Sequence, residues 1–287
     1  MSETSAPEVQ SSDLKVIKNV TFEILRYNPE KDEAPRMQEF QVPVIKGMTV
    51  LDGLLWIKEN LDSSLAYRSS CRMGVCGSCG MFINGLPRLA CNNQIMHLEA
   101  DTITIKPLPN YNIIRDLVPD LEGFFDKHKS IQPYMIREQV EELDNPTGEF
   151  FQSPDELVDY IQFAYCIKCG LCLSACPTVA TDDNFIGPQA LAQAYRYNAD
   201  SRDEGAKERE EELYSSHGVW RCHFAGACSD VCPKGVDPAF AIQLLKQDMF
   251  MQKLHVHKQK PATHIIPWAA EHVPNEKIPK APERTVK

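Results

Sequence analysis

The chain has 287 residues, a formal net charge of −10 and a pI near 5.3. This length fits about two domains, and the acidic balance excludes the basic surface that nucleic-acid binding requires. No stretch approaches the roughly 18 consecutive apolar residues of a membrane-spanning helix. Residues 1–19 also lack the apolar core of a secretory signal. The sequence therefore predicts neither a membrane span nor a signal peptide.

The first part of the chain predicts a disordered extension over residues 1–16 and then a small α+β domain over residues 17–112. Alternating apolar residues predict strands. A capping box predicts the start of a helix, and Asn-Gly predicts the type I′ turn of a hairpin. In chain order these elements are a strand at 20–26, a strand at 40–44, a helix from Thr49 to Lys58, a hairpin at 81–89 and a strand at 102–105.

The second part predicts a helical domain over residues 113–250. Apolar residues recur at helical spacing from Leu117 to Phe125, and Pro188 is placed as a first-turn proline. The Asp237-Pro238 pair predicts the start of another helix. The charged stretch 204–212 predicts an exposed helix face. Residues 251–287 are rich in Lys and Pro and predict an extended tail.

All eleven cysteines fall into three groups. The first is spaced C-x4-C-x2-C with a later fourth cysteine, which is typical of a plant-type [2Fe–2S] site, and the second is the bacterial ferredoxin run C-x2-C-x2-C-x3-C-P. Clustered thiols in an odd number favour metal sites in a reducing compartment over disulfides. The three groups are Cys71, Cys76, Cys79 and Cys91; Cys166, Cys169, Cys172 and Cys176; and Cys222, Cys228 and Cys232.

The second and third groups predict two clusters when they are interpreted together, because the fourth cysteine of a bacterial run ligates the other cluster. Ala225 occupies the position where a complete third group would have one more cysteine, and it has no donor atom. That site is therefore predicted to hold [3Fe–4S]. A labile [4Fe–4S] with an open iron, as in hydratases, is the alternative. The predicted ligands are Cys166, Cys169, Cys172 and Cys232 for [4Fe–4S] and Cys176, Cys222 and Cys228 for [3Fe–4S].

Three clusters in one chain predict electron transfer between partners, because the sequence has no Walker A loop, no G-x-G-x-x-G and no catalytic triad. No catalytic residue is predicted in this chain. A zinc-stabilised scaffold is the alternative of a different class, although C-x4-C-x2-C is a poor zinc spacing. Another alternative is the iron–sulfur part of a different soluble oxidoreductase, such as a thiol-linked fumarate reductase or a glycolate-oxidase-like enzyme.

These motifs resemble the iron–sulfur subunit of succinate:quinone oxidoreductases, the family of succinate dehydrogenase and fumarate reductase. The resemblance extends from Val20 to Lys246 and is strongest at residues 68–80, 166–177, 185–188, 200–203 and 222–235. It implies an N-terminal β-grasp ferredoxin-like domain followed by an all-α bacterial-ferredoxin-like domain. It also implies a flavoprotein partner with covalent FAD, which performs the dicarboxylate chemistry, and membrane-anchor subunits that can carry haem b.

The resemblance further implies a quinone site beside the [3Fe–4S] cluster, with Pro177, Trp220, His223 and Lys246 as candidates. Alternatively, Pro177 only shields the cluster and Lys246 only extends its amine from a helix to water. Thr181 stands where ubiquinone-using succinate dehydrogenases usually have Trp. Residues 196–202 and 218–220 look more like the fumarate reductase branch, so menaquinone is predicted rather than ubiquinone. The implied location is the cytoplasmic face of the bacterial inner membrane, where anchor subunits hold the chain.

Overall fold

The computed structural model describes residues 15–145, 147–254, 256 and 265–267. The predicted disordered extension, apart from its last two residues, lies outside the described residues, as does most of the predicted tail. Among the described residues, no helix combines the length and the apolar character needed to cross a membrane.

The first half of the chain is built on a five-stranded sheet. The strands are β1 (Lys18–Arg26), β2 (Arg36–Val44), β3 (Gly80–Ile83), β4 (Leu86–Leu89) and β5 (Thr102–Lys106), in the order β2-β1-β5-β3-β4. Only β1 and β5 pair in parallel; the other neighbours are antiparallel. Val20, Phe22 and Ile24 alternate with more exposed residues on β1, which confirms the predicted period of two.

Helix α1 (Val50–Asn60) covers one face of this sheet. Thr49 and Asp52 form the predicted capping box, with Thr49 Oγ1 accepting from the Asp52 amide at 3.2 Å. The helix approaches the sheet closely: a Cβ at Gly53 would lie 2.5 Å from the ring of Phe22. The Asn84-Gly85 turn is confirmed, since both residues have positive φ as a type I′ turn requires. Sheet and helix together confirm the predicted α+β fold.

The prediction of a helix from Leu117 is wrong. Residues 113–119 form a short hairpin of β6 (Ile113–Arg115) and β7 (Val118–Pro119), and helix α2 (Glu122–Ser130) begins after it. Leu117 is buried in the core of the first domain. The neighbouring Asp116 carboxylate accepts hydrogen bonds from Arg26 Nε at 3.2 Å and from the Ala66 amide at 2.8 Å. Long-range contacts thus override the local helical spacing.

The rest of the described chain is largely helical. Its elements are α3 (Val140–Asp144), β8 (Gly148–Phe150), α4 (Pro154–Val158), α5 (Ile161–Ala164), α6 (Leu171–Ser174), α7 (Pro177–Thr181), α8 (Pro188–Ala199), α9 (Glu210–Tyr214), α10 (Ala227–Asp230), α11 (Pro238–Lys253) and β9 (Ile265–Pro267). Pro188 occupies the first turn of α8, and the Asp237 carboxylate caps α11, as predicted. Helices α8 and α11 pack together, and β9 pairs with β8.

The charged stretch 204–212 is largely exposed, as predicted, but it is not a continuous helix. Only its end belongs to α9, and the Arg209 side chain is 0% exposed. Its guanidinium pairs with Asp203 at 2.7 Å and donates to the carbonyls of Ile131 and Tyr134. The buried charge of Arg209 is tolerated because the N–H groups of its guanidinium are hydrogen-bonded.

A short segment joins the sheet domain to the helical region. Tyr111 Oη donates to the Gly170 carbonyl at 2.9 Å. Asn110 Nδ2 lies 3.1–3.2 Å from the carbonyls at the end of α6. Leu171 of α6 is buried in the core of the sheet domain. The two regions are therefore in direct contact, and the predicted boundary at residue 112 stays a prediction.

Candidate iron–sulfur sites

The first cysteine group lies on a loop that folds back on its own sulfur atoms. The amides of Met73, Val75 and Cys76 donate to Cys71 Sγ at 3.3–3.5 Å. The Gly74 amide donates to Cys91 Sγ at 3.2 Å, which the positive φ of Gly74 permits. Several donors aimed at sulfur suit an anionic thiolate cluster, because such hydrogen bonds stabilise negative charge. The loop therefore fits a [2Fe–2S] group.

The cysteines of this loop differ in their surroundings. Hydrogen bonds from the Cys71 amide and the Ser78 side chain lower the pKa of Cys76 to about 6. Burial raises the pKa of Cys79 to about 12. A buried thiol ionises only when another group stabilises its negative charge. A bound metal ion does so by displacing the proton. Because Cys76 is exposed and Cys79 is buried, the loop lies at the edge of the domain.

The cysteines from the two later groups combine in two pockets. One pocket, with an empty volume of about 400 Å³, is lined by four of them. Burial raises the pKa of Cys169 to about 11, and it also raises the pKa of Cys172 well above its usual value. The four are Cys166, Cys169, Cys172 and Cys232, the set predicted for [4Fe–4S].

The other pocket has an empty volume of about 330 Å³ and is lined by Cys176, Cys222 and Cys228. Ala225 lines the same pocket and brings no donor atom to it. The Phe224 amide donates to Cys222 Sγ at 3.4 Å. The structure thus brings together the three thiols predicted for [3Fe–4S] and leaves a methyl group where a fourth ligand would stand.

A zinc site would need several thiolates gathered around a single ion. Among the described residues, no three His, Cys, Asp or Glu side chains are arranged to hold one. Zinc would require all its thiolates at about 2.3 Å from one centre. In a cluster, the cysteines are divided among two or more irons, so their sulfur atoms can be more widely spaced. The cysteine arrangement suits clusters better than zinc.

The three cysteine sites adjoin one another. A Cβ on Gly77, in the first loop, would lie 2.6 Å from the Cβ of Cys169 in the four-cysteine pocket. Cys172 of that pocket and Cys228 of the three-cysteine pocket belong to one buried group with Ala239. The sites therefore form a continuous row: the loop, the four-cysteine pocket and the three-cysteine pocket.

The four residues predicted for the quinone site lie near the three-cysteine pocket. Pro177 is exposed and lines it. Lys246 Nζ donates to the Cys222 carbonyl at 2.9 Å and lies 5.8 Å from the ring centroid of Trp220. Trp220 is 49% exposed, and His223 is also exposed. The structure thus places these side chains on one surface beside the pocket.

Sequence reasoning missed several residues that support these sites. Asn110 and Tyr111 hold the helical region against the sheet domain, and no motif marks them. Lys168 has a positive φ of 55°, and its backbone lies within hydrogen-bonding reach of the Cys166 thiol. Gln189 belongs to no cysteine motif, although it lines the four-cysteine pocket. A polar residue within an Ala- and Leu-rich helix was the one available signal.

Comparisons with known proteins agree with this geometry. Residues 21–126 match the family described as a 2Fe-2S iron-sulfur cluster binding domain, and residues 162–236 match a 4Fe-4S dicluster domain. The chain is 46% identical over 227 residues to the fumarate reductase iron-sulfur subunit of Mycobacterium tuberculosis (strain CDC 1551 / Oshkosh), covering 79% of this chain and 91% of the relative. The chain belongs to the family of fumarate reductase and succinate dehydrogenase iron–sulfur subunits.

A second relative agrees in sequence, and a solved structure agrees in fold. The succinate dehydrogenase iron-sulfur subunit of Coxiella burnetii (strain RSA 493 / Nine Mile phase I) is 40% identical over 236 residues, covering 81% of this chain and 98% of the relative. A chain from the solved Mycobacterium smegmatis Sdh1 complex in the apo form superposes with a TM-score of 0.71. It is 24% identical and covers 83% of this chain and 97% of its own length, so it supports the fold.

Family membership decides between the iron–sulfur and the zinc interpretations of the cysteines. The chain is an iron–sulfur subunit of a succinate dehydrogenase or fumarate reductase type of oxidoreductase, and the zinc-scaffold alternative is wrong. The [2Fe–2S] and [4Fe–4S] domains are confirmed, as is the predicted order of a sheet domain followed by a helical ferredoxin-like domain.

Proposed function

We propose that this chain relays electrons between FAD in a flavoprotein partner and a quinone at membrane-anchor subunits. Its route is the [2Fe–2S] loop, the [4Fe–4S] pocket and then the [3Fe–4S] pocket. The observation that carries the proposal is the continuous row of the three sites, with Gly77 against Cys169 and Cys172 beside Cys228. Sites in direct contact suit electron transfer along the chain.

The proposed ligands follow the three sites. Cys71, Cys76, Cys79 and Cys91 hold [2Fe–2S]; Cys166, Cys169, Cys172 and Cys232 hold [4Fe–4S]; and Cys176, Cys222 and Cys228 hold [3Fe–4S]. When bound, the clusters supply one-electron redox chemistry. The protein residues bind them, donate amide hydrogen bonds to sulfur and exclude water by burial. Ala225 is the reason for three irons at the last site, because a methyl group cannot ligate a fourth.

The quinone is proposed to bind beside the three-cysteine pocket, at the surface of Pro177, Trp220, His223 and Lys246. A cationic Lys246 near an exposed Trp220 suits a ring with carbonyl oxygens, because the ring stacks on an aromatic face and the ammonium donates to an oxygen. Thr181, which replaces the usual Trp of the ubiquinone branch, donates to the Thr178 carbonyl at 3.0 Å. We therefore propose menaquinone as the acceptor.

The membrane association is proposed to be peripheral. Anchor subunits, which can carry haem b, would hold the chain at the cytoplasmic face of the bacterial inner membrane. The exposed Trp220 and Phe224 near the three-cysteine pocket support this orientation, since exposed aromatic residues favour a protein or membrane interface.

Low-temperature EPR on the purified complex tests the cluster assignment. We expect a near-isotropic [3Fe–4S] signal before reduction and two further signals after it, with iron and labile sulfide in the metal assay. A protein that lacks the oxidised-state signal but carries two four-iron clusters would contradict the [3Fe–4S] assignment.

Steady-state assays with quinone analogues test the quinone end. We expect Lys246→Met to lower the rate with a menaquinone analogue while the rate with a soluble electron acceptor at the flavoprotein stays unchanged. Lys253→Met is the matched control, because Lys253 lies on the same helix but stacks on Tyr214. Equal loss in both variants would argue against a quinone role for Lys246.

A further inference from the structure

A buried amide that belongs to none of the cysteine motifs faces the four-cysteine pocket. Gln189 lies in the first turn of α8, is 2% exposed and lines that pocket. Its side chain is within hydrogen-bonding reach of the Cys166 thiol. On its other side, Gln189 Nε2 lies 3.2 Å from Nδ1 of His128. The amide thus lies between a buried histidine and a cysteine of the same pocket.

His128 can hold this amide as a hydrogen-bond donor in the tautomer whose Nδ1 carries no proton. Burial and the nearby charge of Lys168 lower the pKa of His128 to about 4. The ring is therefore neutral near pH 7, and one ring nitrogen accepts a hydrogen bond. With Nδ1 of His128 accepting one N–H of Gln189, the second N–H is available for Cys166 Sγ. In the flipped orientation, the carbonyl oxygen of the amide would face a ligating thiolate, and the two negative groups would repel each other.

The oxygen of the same amide shows that this arrangement has a cost. Gln189 Oε1 is buried without a hydrogen-bond partner in the described part of the chain. An unpaired buried acceptor destabilises the fold, because it has lost its hydrogen bonds to water. An apolar side chain of the same size would avoid this penalty. The unpaired oxygen is tolerated because the two N–H groups of Gln189 can donate to His128 and Cys166. This indicates that the donors have a function.

We propose that Gln189 is a positioning residue that raises the reduction potential of the cluster held by Cys166, Cys169, Cys172 and Cys232, by donating a hydrogen bond to Cys166 Sγ. The reduced cluster carries one more negative charge than the oxidised cluster, so a donor at sulfur stabilises the reduced state more. His128 keeps the amide in the donating orientation. This inference rests on the proposed function, since it presupposes a four-iron cluster in that pocket.

The test is an EPR-monitored redox titration of the whole complex carrying Gln189→Met or Gln189→Glu. Methionine keeps the size but removes the donors, and we expect the one-electron reduction constant of the four-iron cluster to fall about tenfold, or about 59 mV. Glutamate adds a negative charge, so we expect a larger fall. The [2Fe–2S] and [3Fe–4S] potentials should stay unchanged.

Gln193→Met is the matched control. Gln193 is also buried on α8, but its amide donates to the Phe163 carbonyl at 2.9 Å rather than to a thiol. We expect it to leave the four-iron potential in place. His128→Phe removes the acceptor that orients Gln189 and should lower the potential less than Gln189→Met does.

The outcomes separate this inference from the proposed function. An unchanged four-iron potential in Gln189→Met, with the cluster content intact, overturns the role of Gln189 and leaves the electron relay standing. An equal shift in Gln193→Met also overturns it, because packing would then explain the change. If Gln189→Met lacks the four-iron cluster, the potential of this cluster in Gln189→Glu is the test instead. An unchanged potential there overturns the role of Gln189. Absence of any four-iron signal in the unmodified complex overturns the proposed function itself.

Discussion

The first cysteine loop and the two helical pockets hold their thiols by different means. The loop closes on itself, with neighbouring amides donating to Cys71 and Cys91. The pockets combine cysteines of the second and third groups, which meet because α6 packs on α10 and α8 on α11. The loop therefore depends on local backbone conformation, whereas the pockets depend on the folding of the helical region. The two kinds of site should fail independently.

Arg209→Met should have the largest effect and should break the pockets alone. It removes a fully buried guanidinium and leaves the Asp203 carboxylate buried without its cation. Such a loss costs about 3–5 kcal/mol. We expect iron content and the signals of the two pocket clusters to fall, while the [2Fe–2S] signal persists.

Lys129→Met is its control, because the Lys129–Asp126 pair is exposed and exposed pairs contribute less than about 1 kcal/mol. Loss of all three signals together in Arg209→Met would show that the loop and the pockets are not independent.

Ala225→Cys should change one pocket without unfolding anything. It places a thiol where the three-cysteine pocket has a methyl group. We expect a four-iron cluster to form, the oxidised-state paramagnetic signal to vanish and the potential of that site to fall. Ala225→Val adds bulk without a donor and should retain the signal. An unchanged signal in Ala225→Cys would contradict the ligand assignment.

Gly77→Ala should disturb the contact between the loop and the four-cysteine pocket. Gly77 has a φ of 75°, and its new Cβ would lie 2.6 Å from that of Cys169. We expect a loss of stability about 1–3 kcal/mol larger than in the control, together with weaker magnetic coupling between these two clusters.

Gly85→Ala is the control, since Gly85 also has a positive φ but its Cβ would meet nothing within 4 Å. It should cost about 1–2 kcal/mol from the left-handed backbone alone and should leave the coupling intact. Equal effects of the two variants would rule out a special contact at Gly77.

Asp62→Asn should have the smallest effect and concerns the sheet domain only. Hydrogen bonds from Ser64 and Arg26 lower the pKa of Asp62 from 3.8 to about 2. A lowered folded-state pKa stabilises the protein above pH 3.8, and this contribution is lost as the pH falls through 2. We expect the variant to be about 1–2 kcal/mol less stable at pH 7 and equal to the unmodified protein near pH 1, below both pKa values.

Denaturant unfolding of the sheet domain at both pH values measures this difference. Asp101→Asn is the control, because the Asp101 side chain is 95% exposed and its ion pair with Lys18 lies at the surface. A difference that persists at about pH 1 would mean that Asp62 acts through packing rather than through its charge.

The sequence by itself determined the strands at 20–26 and 102–105, the capped helix after Thr49, the hairpin turn and the cysteine groups. These features are local, since alternation, caps, turn residues and ligand spacing act within a few positions. It also anticipated the membership of both pockets, because the bacterial run carries its own rule for sharing the fourth cysteine.

Only the tertiary structure decided the rest. Leu117 is not helical, because it is buried in the core of the sheet domain. Arg209 is buried although its neighbours are charged, because Asp203 and distant carbonyls accept hydrogen bonds from its guanidinium. The contact of Gly77 with Cys169 and the bridge from His128 through Gln189 to Cys166 likewise join residues far apart in the chain. Composition and periodicity contain no information on such pairings, because they form only when separate elements pack.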